Sequence, residues 1–529
     1  MPTEDQSQKS AGSANRDPSL PGGPEAGADR SYGQILKSSA VIGGSSVLVV
    51  LTGIVRTKAM ALLLGPAGFG LMGVYGSILD LVMNIAGMGV GSSGVRQIAE
   101  SVGSGDAARI SQTVIVIKRT VIVLGVVGSA ALAILAPRVS LLTFGNDDYA
   151  LPIAILSLAV FFRVVAAGQG ALIQGMRRIG DLAWMSVIGS LAGTVSSVAL
   201  VYVLGADGVA PSLVVGAAVG LIVAWWCSRR IQTVPALMSG SEVRLETWML
   251  LRLGFAFMAS GFMMMGAAYA VRTIILRYVG LEAAGLYQAA WTLGGLYVGM
   301  ILQAMGTDFY PRLTEAIKDS QQSNRLVNEQ AQVSLLLAGP GVIATLIFAP
   351  LLMIVFYSSE FAAATGVLQW ICLGMALRVI TWPMGFIIVA RGEQTIFFLT
   401  ELAWTVVNVG LSIVCLRYFG LEGAGMAFFG SYVFHGLMIY PIVRRLNDFR
   451  WSLENLKVGL SFVTLIGVVF ASSAVLPGAV SIAFGAVAFV VSGVYSVRRL
   501  VSLVGVGHVP QAVQKLLFAT RLARMPVRS

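Results

Sequence analysis

Fourteen long apolar runs follow one another along this chain, and little else about it constrains the fold as strongly. Their approximate limits are 38–63, 70–94, 113–136, 151–173, 183–204, 210–228, 251–278, 286–306, 332–350, 363–390, 395–417, 426–443, 457–475 and 480–497. A helix needs about 20 apolar residues to cross the hydrocarbon of a bilayer. Inside that hydrocarbon each backbone N–H and C=O must be satisfied within the span itself, so each run is expected to be helical. Composition agrees: 56% of the 529 residues are hydrophobic and 12% are charged. A soluble domain carries about 25% charged residues, so this is read as an all-α polytopic membrane protein. The 61 glycines suit close helix packing in lipid.

Three cysteines, Cys227, Cys372 and Cys415, lie in apolar runs without ligand spacing. They are read as small apolar residues rather than a disulfide or metal set. His435 and His508 are too scattered for a metal or catalytic cluster, and no cofactor site is expected. Residues 1–37 are rich in Pro, Gly, Ser and Asp and are expected to form a disordered tail without a cleavable signal. Only Leu476-Pro477-Gly478 separates the last two runs, so twelve spans plus a re-entrant hairpin is an alternative.

Orientation follows from Lys and Arg placement. With the N-terminus inside, the inner segments hold 28 of the 36 basic residues and the outer loops hold Arg138 alone. Both termini are therefore expected in the cytoplasm. The formal net charge of +11 is mostly this topology signal, and no nucleic-acid partner is needed to explain it.

Seven basic residues remain inside the runs: Arg56, Lys58, Arg163, Arg272, Arg277, Arg378 and Arg417. Arg277 and Arg417 sit near outer ends, in "LRYVGLE" and "LRYFGLE", where snorkelling to the headgroups accounts for them. The other five are deeper. Arg163, in "LAVFFRVVAA", lies near mid-membrane, where an arginine costs roughly 2.5–3.5 kcal/mol and marks a functional position.

A duplication explains one pairing among them. The hairpins "GPAGFG" at Gly65 and "GLEAAG" at Gly280 are 215 residues apart, as are "GADGVA" at Gly205 and "GLEGAG" at Gly420. The same interval carries Arg163 onto Arg378, and "FRVV" onto "LRVI". Arg56 and Arg272 each sit within a "VRT", displaced by one residue from that register. The chain thus reads as an N-lobe over 38–228, a linker over 229–250 and a C-lobe over 251–446. An added helix pair over 447–497 and a basic amphipathic tail over 498–529 complete it. Each lobe holds six spans, an even number, so the repeats are parallel. Two such bundles can rock about a shared central cavity. The alternative is that each arginine pairs with Asp80 or Glu401, or with main chain, inside its own bundle.

Five deep bases, Arg56, Lys58, Arg163, Arg272 and Arg378, face two deep acids, Asp80 and Glu401. A cavity so lined favours an anion, and guanidinium groups grip phosphate oxygens through paired N–H donors. Arg378 and Trp382 share one helical face; Glu401, Trp404 and Asn408 share another; Tyr287 and Trp291 share a third, with Gln288 beside them. Aromatic planes beside hydrogen-bonding groups suit a sugar, although packing between helices explains any single tryptophan as well. Pro383 is expected to kink its span near Arg378, and Met263, Met264 and Met265 are flexible filler or core.

The stretch "LLLGPAGFGLMGVYGSILDLVMNIAGMGVGSSGVRQIAE" at 62–100, with "GLEAAGLYQAAW" and "YPRLTEA", resembles the O-antigen translocase group of lipid-linked oligosaccharide flippases. That group belongs to the multidrug/oligosaccharidyl-lipid/polysaccharide exporter superfamily. The resemblance spans roughly residues 35–450. It implies a fold like that of multidrug and toxin extrusion (MATE) transporters: two six-helix lobes, here with two extra C-terminal helices. It also implies a bacterial inner-membrane protein that moves an undecaprenyl-pyrophosphate-linked glycan outward by alternating access. Binding would fall to Arg56, Lys58, Arg163, Arg272, Arg378, Trp291, Trp382, Trp404 and Asn408. Asp80 or Glu401 would couple a proton or sodium ion, or the membrane potential would drive transport. Membrane lipids and a glycan polymerase are the expected partners. Rival readings are a cation-coupled multidrug exporter of the same fold, which the excess of deep bases disfavours, and a membrane glycosyltransferase, polymerase or ligase. The enzymes need outer acids or histidines, and the loop near 137–150 offers only Asp147 and Asp148. A scaffold would not need charges at depth.

Overall fold

The computed structural model of this chain describes residues 24–231 and 238–504. Every regular element among the described residues is helical. The first half comprises α1 (Pro24–Gly87), α2 (Val90–Gly103), α3 (Ala107–Phe144), α4 (Ala150–Gly175), α5 (Ile179–Leu204) and α6 (Val209–Ser228). The second comprises α7 (Gly240–Tyr278), α8 (Leu281–Ala316), α9 (Ser320–Ile347), α10 (Ala349–Phe356), α11 (Thr365–Ala390), α12 (Gln394–Phe419) and α13 (Glu422–Asn447). The pair α14 (Leu453–Val475) and α15 (Gly478–Val504) follows.

Eleven helical stretches among the described residues are long and apolar enough to cross a membrane. Two of them, Gly43–Gly87 and Ile179–Ser228, each carry two of the expected runs. The run at 286–306 lies within α8, outside those eleven. Both α14 and α15 are among them. The chain is a multi-pass, all-helical membrane protein.

The repeated hairpin motif has a conformational cause. Gly65, Gly205, Gly280 and Gly420, the first residue of each copy, have φ of 61°, 59°, 117° and 59°. A side chain at positive φ meets the neighbouring carbonyl, so glycine is the residue that allows a break there, and at Gly65 the break divides α1 into two helical segments. Entry is specified as well. Asp106 accepts hydrogen bonds from the N–H groups of Ala108 and Arg109, and Asp319 from those of Gln321 and Gln322. Each carboxylate satisfies donors that a helix start leaves unpaired.

Helix α1 opens at Pro24, inside the stretch expected to be a tail. Proline fits a first helical turn because its missing N–H would be unpaired there anyway. Helix α7 likewise opens inside the expected linker, at Gly240, where Ser239 and Glu242 form a reciprocal capping box. Residues 1–23 and, from 505 onward, the amphipathic tail expected over 498–529 lie outside the described residues.

Within the first half, α3 packs on α4, α4 and α5 on α6, and α1 on α5. Within the second, α11 packs on α8, α9 and α13, and α12 on α7 and α13. The two lobes meet where α1 lies against α7 and α8, and where α2 and α3 lie against α7. The hairpin glycines set how close they come. A Cβ on Gly70 would collide with the Leu281 carbonyl, and one on Gly285 with the Pro66 carbonyl.

The added pair belongs to the second lobe, since α14 and α15 both pack on α9. An asparagine network pins its start. Asn447 Nδ2 donates to Ser323 Oγ at 2.8 Å, and Asn328 Nδ2 to the Arg450 carbonyl at 3.0 Å. Asn455 Nδ2 donates to Asn328 Oδ1 at 2.9 Å, and an Arg499–Glu454 ion pair joins α15 to α14.

Candidate functional site

The deep charged residues fall into two clusters. In the first, Arg163 on α4 donates through Nη1 to Asp80 Oδ1 on α1 at 2.9 Å. The two side chains remain 38% and 47% exposed, so the pair is not sealed into a core. Arg56 lies within electrostatic reach of Arg163, and Arg272 within reach of Asp80. Arg272 comes from α7 of the other lobe. Its Nε donates to Gln288 Oε1 on α8 at 2.7 Å, and its Nη1 to the Ala268 carbonyl at 3.1 Å. Arg163 and, from the other lobe, Arg272 thus share one carboxylate, and Arg56 lies beside Arg163.

A cavity of about 370 Å³ adjoins this cluster, with Asp80, Asn84, Ser92, Val164, Ala167 and Met265 among its lining residues. Asp80 is its charged residue. Asn84 stands one turn beyond Asp80 on the same helix, and its buried Oδ1 has no hydrogen-bond partner among the described residues. The i, i+4 spacing of Asp80 and Asn84 was the available signal for that residue.

In the second cluster, Arg378 on α11 shares its electrostatic surroundings with Glu401 on α12 and with Tyr432 and His435 on α13. No carboxylate lies within 4 Å of its guanidinium among the described residues, in contrast to Arg163. Trp404 Nε1 and His435 Nδ1 are buried and have no hydrogen-bond partner among the described residues. The spacing of Tyr432 and His435 in "SYVFH" puts both on one helical face, but sequence reasoning did not connect them to Arg378.

The two clusters are joined by rings. Tyr287 stacks on Trp291 at 6.0 Å, Trp291 meets Phe428 edge-on at 5.1 Å, Phe428 meets Tyr432 at 5.0 Å, and Tyr432 meets Trp404 at 5.7 Å. Trp291 and Trp404 thus contact other rings, and Trp382 meets Phe386 at 4.5 Å. Asn408 is buried on α12.

Lys58 stands apart from both clusters. Its Nζ donates to the Ile354 carbonyl at 3.0 Å and to the Tyr357 carbonyl. Both acceptors belong to the second lobe, so this ammonium joins α1 to the end of α10. Phe69 packs edge-on against Tyr357 and Phe361 beside it, each at 5.6 Å.

A family model of polysaccharide biosynthesis proteins matches residues 35–317. The chain is 20% identical over 407 residues to a lipid III flippase of Escherichia coli strain K12, covering 75% of this chain and 95% of that one. Among solved structures it resembles the lipid II flippase MurJ in an inward closed conformation, with a TM-score of 0.61 and 14% identity. That match covers 88% of this chain and all of the other. It also resembles an inward-facing MATE family multidrug transporter, with a TM-score of 0.59 and 17% identity, over 76% of this chain and 96% of that one. At these identities the two structural likenesses establish the fold: two lobes as in MATE transporters, extended here by a C-terminal pair.

Proposed function

The chain belongs to the polysaccharide biosynthesis protein family, and on that premise we propose that it is a flippase for lipid-linked oligosaccharides. The substrate is an undecaprenyl-pyrophosphate-linked repeat unit, carried from the inner to the outer leaflet of the bacterial cytoplasmic membrane. The observation that carries this reading is the Arg163–Asp80 pair at the edge of a cavity, with Arg272 of the other lobe within reach of Asp80 and Arg56 beside Arg163. Guanidinium groups held together at this depth need a polyanion, and a pyrophosphate offers several oxygens to their paired donors. The name of the E. coli relative, a lipid III flippase, supports the same class.

In this scheme the pyrophosphate enters a cytoplasm-facing cavity between the lobes while the polyprenyl chain stays in lipid. Arg56, Arg163, Arg272 and Arg378 hold the headgroup, and Trp291, Trp382, Trp404 and Asn408 border the glycan. Rocking of the lobes then exposes the headgroup on the other side. Both termini stay in the cytoplasm. Lys58 holds the lobes together at the end bearing the "GPAGFG" and "GLEAAG" hairpins. Asp80 or Glu401 carries a coupling proton or sodium ion, or the membrane potential drives the cycle. The protein acts as a transporter rather than a catalyst, alongside the machinery that polymerises the glycan.

The likeness to MATE transporters keeps a second reading, a cation-coupled multidrug exporter. One experiment separates them. In cells that depend on this protein, replacing both Arg163 and Arg378 by glutamate should accumulate lipid-linked glycan facing inward and leave drug sensitivity unchanged. Normal surface polysaccharide in the double variant would reject the flippase.

A further inference from the structure

Asp80 is the odd member of the first cluster. It is a lone carboxylate that Arg163 and Arg272 share, with Arg56 beside Arg163, and its sole hydrogen-bond partner among the described residues is Arg163. Among the described residues no main-chain N–H holds it in place. It remains about half exposed and faces the cavity. The duplication does not require it either: the position 215 residues on, 295, is glycine.

Arg56 and Arg163 repel one another in a poorly screened site, and a single negative charge beside Arg163 relieves part of that repulsion. A carboxylate meeting one N–H is a weak version of what a pyrophosphate provides, which brings more charge and more acceptor oxygens. The pair is exposed enough to open without unpacking any core.

We propose that Asp80 is an internal counter-anion that holds the place of the substrate's phosphate on Arg163 and is exchanged for it on loading. This rests on the flippase reading and adds a role for one residue of it. The unloaded site stays ordered because Asp80 neutralises it. When the pyrophosphate departs, Asp80 returns to Arg163 and competes against rebinding. Asp80 therefore weakens substrate binding and speeds release. A residue present only for stability would do neither.

The test uses the full chain in lipid nanodiscs, with farnesyl diphosphate as a short prenyl-pyrophosphate probe. Asp80→Asn should bind the probe roughly fivefold more tightly than the wild type, the scale of one partly exposed ion pair. It should also release the probe more slowly and flip lipid-linked glycan more slowly. Asp80→Glu, which keeps the charge, should stay near the wild type. Asp80→Ser gives the same readout as Asn if Asp80→Asn fails to accumulate. Unchanged or weaker binding in the neutral variants, with Arg163→Gln weakened as expected, overturns the counter-anion and leaves the flippase standing. No saturable binding by the wild type, or equal binding by Arg163→Gln, overturns the anion cavity beneath both.

Discussion

Arg163 and Arg378 occupy equivalent places in the two lobes, 215 residues apart, and live in different surroundings. Arg163 touches a carboxylate at 2.9 Å in a part-exposed setting, with two further arginines nearby. Arg378 has no carboxylate within ion-pair distance among the described residues, and its neighbours are Glu401, Tyr432 and His435. The duplicated scaffold has kept its helix stops and its two cations, while the anions around them differ. Packing constrains the first set: a hairpin glycine at positive φ admits few replacements. A carboxylate facing a cavity is free of that constraint, so each lobe carries its own at a different register.

The sharpest way to break this comparison is to reverse each arginine separately. Arg163→Glu and Arg378→Glu should each slow flipping on the order of a hundredfold, since charge-assisted contacts to the substrate are replaced by repulsion. Arg163→Glu also sets a second carboxylate against Asp80, so its thermal unfolding in detergent should fall further than that of Arg378→Glu. Full transport by Arg378→Glu would mean that the second lobe uses its cation for packing alone.

A smaller effect concerns the seam between the lobes. Gly70→Val and Gly285→Val each push a side chain into the other lobe's main chain and should cost about 1–3 kcal/mol of stability. Because the two hairpins clasp one another, the losses should be alike. A clear loss in one alone would show that the contact can shift to one side.

Gly295→Asp sharpens the comparison by giving the second lobe a carboxylate at the position equivalent to Asp80. The nearest atom to a Cβ there is the flexible Met375 Cε at 3.7 Å, so the side chain has room. Farnesyl diphosphate should then bind roughly threefold to fivefold more weakly, as a new partly exposed pair competes for Arg378. Unaltered affinity would place Arg378 outside the anion's reach.

The smallest effect tests where the lobes should agree. Asp106→Ala and Asp319→Ala each remove a helix N-cap, and each should cost about 1 kcal/mol in unfolding measurements. Unequal losses would show that one cap does more than start its helix.

Much of the scaffold was legible in the sequence. The apolar runs appear as helices, and the four hairpin glycines take the positive φ that ends one helix before the next. Less of the site was. Periodicity places Asp80 and Glu401 on helical faces, and either was a reasonable partner for the arginine of its lobe. Only Asp80 comes within bonding distance. Lys58 shares a helix with Arg56 yet reaches carbonyls of the other lobe. The aromatic residues of α8, α12 and α13 meet ring to ring. Nothing in linear spacing distinguishes a ring that faces a cavity from one that faces another ring.

What the sequence by itself determined is therefore local and periodic. It set which stretches must be helical in lipid, where they stop, that the chain is duplicated, and that positive charge lies deep. These follow from backbone hydrogen bonding, from glycine's lack of a Cβ and from the cost of burying charge, all of which act along the chain. Tertiary structure alone decided which carboxylate meets which guanidinium and how closely the lobes approach. Those outcomes depend on the rotation of each helix about its own axis, and neighbours distant in the chain set that rotation.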